Sequence, residues 1–218
     1  QGDYRDELVL GMYLYLLNQR LSEIAMQKDP PFVTAEIYVD QLTPKNTVYA
    51  LAFSPLNNDF EHGFEAILTE IDRVRQHGFL NSELERIKDD YLSYYQTMYD
   101  NRDDLDSALL IEHFIESIVS KETITSIVFD YDLINAILPT ITTEDLKTIT
   151  DQWFLNEGRK IVITAPEKNA DSLPTSDDLL SLLNQSSQQK LAVYEEDDLT
   201  QRPLLELLPV PSKIIYEK

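Results

Sequence analysis

The sequence is poor in the residues that most often build catalytic and metal centres. Its 218 residues include no cysteine, five glycines and three histidines, at positions 62, 77 and 113. Without cysteine there is no disulfide, iron–sulfur cluster, thiolate zinc site or cysteine nucleophile, and a periplasmic and a cytoplasmic location both remain open. The few glycines form no phosphate-binding loop. We therefore expect no catalytic residue, no cofactor-binding residue and no metal ligand in this chain.

Acidic side chains outnumber basic ones by 39 to 18, which gives a formal net charge of −21. This charge repels phosphate, so we expect neither nucleic acid nor an anionic membrane surface as a partner. No apolar run approaches the roughly 20 residues that span a bilayer, and no signal-peptide pattern is present. The balance of 43% hydrophobic and 26% charged residues is typical of a folded globular domain. Because the chain begins with Gln1-Gly2-Asp3, we expect a processed chain or an excised fragment.

The first 54 residues predict a helix followed by a hairpin. Apolar residues recur at a helical period over 3–27, and Pro30-Pro31 ends that helix because proline cannot donate a backbone hydrogen bond. Residues 32–41 and 46–54 are rich in β-branched and aromatic side chains and predict two antiparallel strands. The second strand is apolar at successive positions, so we expect it to be covered on both faces.

Helical periodicity dominates the middle of the chain. It predicts helices over 60–77, from 81 or 82 to 99, and over 104–119, 124–137 and 142–154. Gly78 follows the first of these in the usual C-terminal capping position, and Asn81 or Ser82 is expected to cap the next. Residues 160–165 are apolar throughout and predict a short strand that returns to the sheet. The fold class is therefore α+β, with an antiparallel-rich sheet packed on one side by several helices.

The composition changes after Pro166. We expect one α+β domain over 1–168 and an extended linker with a short helix, at about 175–187, over 169–218. The acidic run 195–198 is expected to be a solvated loop.

Three motifs suggest chemistry, and each has a simpler interpretation that we favour. His113 and Glu116 share a helix face but lack a further zinc ligand nearby. The acidic segment at 57–63 resembles a calcium loop, but its glycine and its final ligand position do not fit, which favours a solvated helix entry. The tyrosines at 91, 94, 95 and 99 could form a ligand shelf, although a helix packed on a sheet explains them as well.

An ordered set of short signatures resembles the insulinase/pitrilysin-type zinc metallopeptidases. They are residues 17–21, 30–32, 78–88, 138–146, 161–168 and 204–211. The resemblance implies an α+β domain of the kind that pairs with others to enclose a chamber. The family's inverted zinc motif, His-x-x-Glu-His, is absent here. The family also binds the substrate backbone with an Arg–Tyr pair, and the positions of that pair align approximately with Val48 and Asp59, so its function is not carried over.

The resemblance therefore implies the second, non-catalytic domain of the N-terminal half, followed by the start of the linker between the halves. In this interpretation zinc belongs to a catalytic domain elsewhere in the parent protein. That catalytic domain is the partner of this chain, and a peptide is the substrate. The chain alone is expected to be inactive. Two alternatives remain open: a stand-alone, catalytically inactive partner subunit, and an acidic protein-interaction module.

Overall fold

The structure, a computed structural model, describes residues 2–43, 46–105, 107–120, 123–153, 159–186 and 189–196. Two strands lie between the first and second helices. The elements are α1 (Gly2–Ala25), β1 (Phe32–Thr43), β2 (Asn46–Pro55), α2 (Phe60–His77), α3 (Asn81–Asp100), α4 (Ser107–Ser120), α5 (Ile127–Ile137), α6 (Thr143–Trp153) and α7 (Ser176–Ser186). The described chain is thus mostly helical with a two-stranded antiparallel sheet, and the predicted α+β class is confirmed.

The sheet carries its helices on one side. β1 pairs with β2 in a register that places Ile37 opposite Leu51, and both side chains join the core formed with α1 and α2. The prediction that β2 is covered on both faces is wrong, because Ala52, on the face opposite Leu51, is exposed. Its apolar composition was misleading, since the packing from α1 and α2 reaches the side that carries Leu51.

The predicted strand at 160–165 is also wrong. Residues 159–166 have no regular secondary structure, and the Val162 side chain is 86% exposed. The sheet contains two strands within the described residues, and this segment pairs with neither of them. An apolar run has strand propensity, but it needs a neighbouring edge to pair with.

The core is centred on α1. Its apolar face contributes Met12, Tyr13, Leu16, Leu17 and Leu21, and α2, α3, α5 and α6 contribute Ile67, Ile71, Leu84, Ile87, Ile134 and Leu146. These side chains recur at helical spacing, so each helix buries one stripe and leaves the opposite face in water. The long first helix therefore acts as the element on which the others pack.

Local contacts define the ends of the helices. The Asp59 carboxylate accepts a hydrogen bond from the His62 backbone and caps α2 at its start. Gly78 ends the same helix at a φ of 73°, as predicted, because glycine adopts this conformation without strain. The predicted cap of α3 is wrong: Glu83 reaches back to accept from the Leu80 N–H at 2.6 Å. Asn81 is already the first helical residue.

The C-terminal part returns to the domain. α7 packs against α2, and residues 189–196, which have no regular secondary structure, run beside α2 and α3. Residues 197–218, the last 22 of the 50 residues in the predicted linker, lie outside the described residues, and the boundary at 168/169 stays a prediction. No helix in the described ranges combines the length and apolar character needed to cross a membrane.

Two helical glycines provide a matched test of this packing. A Cβ on Gly63 would lie 2.9 Å from the Phe53 ring and 3.2 Å from the Pro31 carbonyl oxygen, whereas a Cβ on Gly11 would meet the Tyr91 hydroxyl at 3.1 Å. Alanine stabilises an open helical position by about 1 kcal/mol, but overpacking costs about 1–3 kcal/mol. We expect Gly63→Ala to lower the free energy of unfolding and Gly11→Ala to change it little or raise it. Urea unfolding followed by circular dichroism measures both, and equal effects would contradict this packing.

Candidate functional site

The histidines do not assemble into a metal centre within the described residues. His62 lies in the first turn of α2, and the His77 Nε2 is 2.8 Å from the Leu191 carbonyl oxygen. His113 and Glu116 lie on α4, but their side chains are outside the described part of the structure. No group of three or more His, Cys, Asp or Glu that could hold a metal occurs among the described residues. These residues thus do not fit a zinc ion, and the expectation that the chain contributes no ligand stays a prediction.

The segment that resembles a calcium loop is the entry to α2. Asn57 and Asn58 adopt left-handed backbone conformations, with φ of 54° and 62°, and turn the chain out of β2. Asp59 then uses its carboxylate as a helix cap. The preferred interpretation, a helix entry, is confirmed.

The tyrosine cluster joins three helices. Tyr95 on α3 meets Tyr4 on α1 with 3.1 Å between the hydroxyl oxygens, and Tyr99 stacks on Tyr131 of α5 at 4.6 Å between ring centroids. Burial, then the hydrogen bond with Tyr4, raises the pKa of Tyr95, so its phenol stays neutral near neutral pH. The prediction of a helix packed on a sheet is wrong here, because this part of α3 packs on helices.

The most constrained polar site is a buried ion cluster formed by Arg20, Glu70 and Glu83, called the Arg20 cluster below. The Arg20 guanidinium donates from Nε and Nη2 to the two carboxylate oxygens of Glu83, at 2.7 and 2.6 Å. Its Nη1 donates to Glu70 at 2.9 Å. All three residues are at most 3% exposed. The bidentate geometry with Glu83 is the arrangement in which arginine binds carboxylate most strongly.

Each member of the cluster lies where its helix meets the core. Arg20 continues the apolar stripe of α1, and Glu70 lies among the buried residues of α2. Glu83 is in the first turn of α3, where it also caps the Leu80 N–H. Arg73 approaches Glu70 at 3.2 Å. Two guanidinium groups therefore balance two carboxylates, which is the condition for keeping charges out of water.

Arg20 keeps its positive charge inside the domain. Burial by itself lowers the pKa of Arg20, but the hydrogen bonds and charges of Glu83, then of Glu70, outweigh burial and raise it. An arginine held in this way neither donates nor accepts a proton near neutral pH. The Arg20 cluster therefore has the chemistry of a structural clamp between helices.

The segment 189–196, called the strap below, covers this cluster. The Tyr194 ring lies 3.9 Å from the guanidinium carbon of Arg20, and the Phe79 ring centroid lies 4.9 Å from the same carbon. The Tyr194 hydroxyl donates to Glu23 on α1. Two aromatic rings and two carboxylates thus surround one guanidinium, and the cation–π contacts add to the ion pairs.

The strap is also held at its ends. Gln76 binds the backbone of Gln189 and Leu191, and Glu196 accepts from Ser82 at 2.9 Å and pairs with Arg86. The predicted solvated loop at 195–198 is right for Glu195, which is exposed, and wrong for Glu196. Residues 197 and 198 lie outside the described residues.

A cavity of about 450 Å³ lies between α1, α2 and the strap. Its charged lining is Arg20, Glu23, Glu70, Arg73 and Glu195. The Arg20 and Arg73 guanidinium groups are paired with Glu70, and Glu23 is paired with Tyr194. These pairings stabilise the helices and the strap around the cavity.

The sequence interpretation missed the Arg20 cluster, although one signal was available. Arg20 follows Leu16 and Leu17 at helical spacing and precedes Leu21, so it lies on the face that α1 buries. A charge in an apolar stripe requires an opposite charge from another element. Periodicity shows the need for that partner but does not identify it.

Comparisons with known proteins agree on one kind of relative. The chain is 26% identical over 216 residues to a zinc protease PQQL-like protein of Arabidopsis thaliana, an alignment over 99% of this chain and 20% of that protein. Its fold matches the first half of the periplasmic protease PqqL from Escherichia coli with a TM-score of 0.77 and 18% identity, over 89% of this chain and 42% of that one. A predicted insulinase family protease from Yersinia pestis matches with a TM-score of 0.60 and 14% identity, over 85% of this chain and 39% of that one. No protein-family model matches the chain.

The relatives and structural neighbours of the chain are thus insulinase-family zinc proteases, which confirms the family resemblance seen in the sequence. The chain spans about a fifth of the length of its PQQL-like relative (20%) and less than half of the matched solved chains. Most of the polypeptide in these relatives therefore lies outside the region that this chain matches.

Removal of Arg20 tests the clamp. Arg20→Met leaves the Glu70 and Glu83 carboxylates buried without their main partner, and breaking a buried ion pair in this way costs about 3–5 kcal/mol of the free energy of unfolding. The triple variant Arg20→Met, Glu70→Leu, Glu83→Gln removes the three charges of the cluster together. It leaves only the partly exposed Arg73 without Glu70, and it should recover most of that loss.

Arg5→Met is the matched control. It breaks the Arg5–Asp145 ion pair, which is about 30% exposed on both sides, and such pairs contribute about 0–1 kcal/mol. Urea unfolding measures all three variants. A loss for Arg20→Met no larger than for Arg5→Met would contradict a structural role of the cluster.

Proposed function

We propose that the chain is a non-catalytic domain in the N-terminal half of an insulinase-family zinc protease. In this proposal it forms part of the wall of a peptide-binding chamber, beside a catalytic domain that is not in this chain. The observation that carries the proposal is the alignment of 99% of the chain with one fifth of a zinc protease. The fold match to less than half of the first half of PqqL supports the same placement.

The paired polar groups inside the chain suit a rigid domain that forms part of a chamber wall. Its buried carboxylates are paired with arginines, in the Arg20 cluster and between Asp72 and Arg75, and the Tyr4–Tyr95 pair joins α1 to α3. Zinc in a neighbouring domain would polarise the scissile carbonyl and activate water. The residues of this chain would exclude bulk water and position the peptide, and the charge of −21 would favour basic peptides.

The outer edge of β2 is the proposed contact for an extended substrate. The Asn18 side chain accepts from the Ile37 N–H at 2.7 Å and donates to the Ile37 carbonyl at 2.8 Å, so α1 already occupies the outer edge of β1. Ile37 lies opposite Leu51 in the antiparallel register. Because the backbone N–H and C=O of Ile37 point to Asn18, away from β2, the backbone N–H and C=O of Leu51 point away from β1. Leu51 and Phe53 thus present backbone groups at the β2 edge, where an added strand would pair.

Zinc content and proteolysis test the proposal. We expect the parent polypeptide to contain zinc and to cleave an unfolded peptide in a chelator-sensitive reaction, while the 218-residue chain binds no stoichiometric zinc and cleaves nothing. Elemental analysis and a fluorogenic peptide assay measure the two properties. Zinc-dependent cleavage by the purified chain alone would contradict the non-catalytic assignment.

The alternatives predict different genes. An in-frame preceding segment with the His-x-x-Glu-His motif supports the domain proposal. A stand-alone inactive subunit or an acidic interaction module requires a coding sequence that starts shortly before this chain and stops shortly after it.

Amide hydrogen exchange tests the substrate edge. With a non-cleavable extended peptide bound to the parent polypeptide, we expect new protection at Leu51 and Phe53, because an added strand pairs with outward-facing backbone groups. Ile37 serves as the internal control, since Asn18 already binds its N–H. Unchanged exchange along β2 in the peptide complex would exclude this edge as the substrate contact.

A further inference from the structure

One helix exposes an apolar stripe to water. Ile111, Ile115, Ile118 and Val119 on α4 follow the i, i+4, i+7, i+8 spacing that places side chains on one helix face. These four side chains, called the α4 stripe below, are 55 to 76% exposed. Val128 and Phe129, at the start of α5, are also exposed. An apolar helix face of this kind is normally the face that a helix buries.

The described parts of the domain do not cover the α4 stripe. Ser117, on another side of α4, is buried, so the helix contacts the domain through a different face. Six of the seven charged residues from 103 to 122 are acidic, with Lys121 as the exception, and Asp103, Asp104 and Glu112 are exposed. The stripe is therefore an apolar surface with a mainly acidic border.

The charge of the chain and the length of the matched relative favour one binding partner for the α4 stripe. A second copy of the chain would bring another acidic border and another charge of −21 against the first, and like charges facing each other across an interface oppose association. The matched half of PqqL is more than twice as long as the matched region, so a neighbouring part of the same polypeptide is available. A suitable surface on it would be apolar at the centre and basic at the rim.

We propose that the α4 stripe is the docking surface for the neighbouring domain of the same polypeptide, which contributes an apolar patch with basic side chains around it. This inference rests on the proposed function and identifies the face through which the domain contacts its partner. Docking would remove Ile115, Ile118 and Val119 from water and would add stabilisation that this face of α4 does not receive from the described part of its own domain.

Thiol labelling tests the docking surface directly, because the chain contains no cysteine. Ile118→Cys and Val119→Cys place a thiol on the α4 stripe, where the native side chains are 68% and 76% exposed. Met26→Cys is the matched control, since Met26 is 83% exposed and lies beyond the end of α1. Each variant is made in the 218-residue chain and in the parent polypeptide, and maleimide labelling is followed at that site by peptide mass spectrometry.

In the dilute 218-residue chain, we expect all three thiols to react at similar rates. In the parent, we expect the two α4 thiols to react slower by about tenfold or more, because an interface core excludes solvent, while the Met26→Cys thiol is unaffected. Equal labelling of α4 in chain and parent would overturn the proposal, as would protection in the isolated chain that increases with concentration and accompanies a dimer. A protected stripe in a parent without zinc would uphold the docking surface and contradict the proposed protease function.

Discussion

The structure depends on keeping one buried guanidinium paired. Arg20 lies on the apolar face of α1 and is almost fully enclosed, so its charge must be balanced inside the domain. Glu70 from α2 and Glu83 from the start of α3 supply that balance, and Tyr194 covers it from the strap. Three helices and the strap thereby meet at the Arg20 guanidinium. Because Glu83 also caps α3, the start of that helix and the position of α1 are coupled.

Much of the helical framework is predictable from the sequence. The apolar period of Ile67, Ile71 and Val74 specifies the buried face of α2, and glycine at position 78 marks its end. Most of the failures have one physical origin, since a local pattern does not identify its tertiary partner. Residues 160–165 have the composition of a strand but no edge to pair with among the described residues. Arg20 similarly shows the need for a buried anion without showing that Glu70 and Glu83 provide it.

The surfaces of the chain are more suggestive of function than its interior. The interior is stabilised by paired charges and neutral tyrosines, which suits a rigid wall. Two features lack a partner strand or helix among the described residues, namely the β2 edge at Leu51 and Phe53 and the α4 stripe. They lie on different elements, so a peptide and a neighbouring domain could bind together. This division fits a domain that supports catalysis carried out elsewhere in the polypeptide.

We propose that this chain supports a zinc site in a neighbouring domain without contributing a ligand to it. Anomalous diffraction at the zinc absorption edge, from crystals of the parent polypeptide, locates the metal and every side chain around it. We expect a zinc ion whose ligands all lie outside residues 1–218. A zinc ligand from within this chain, His113 or Glu116 included, would refute the proposal.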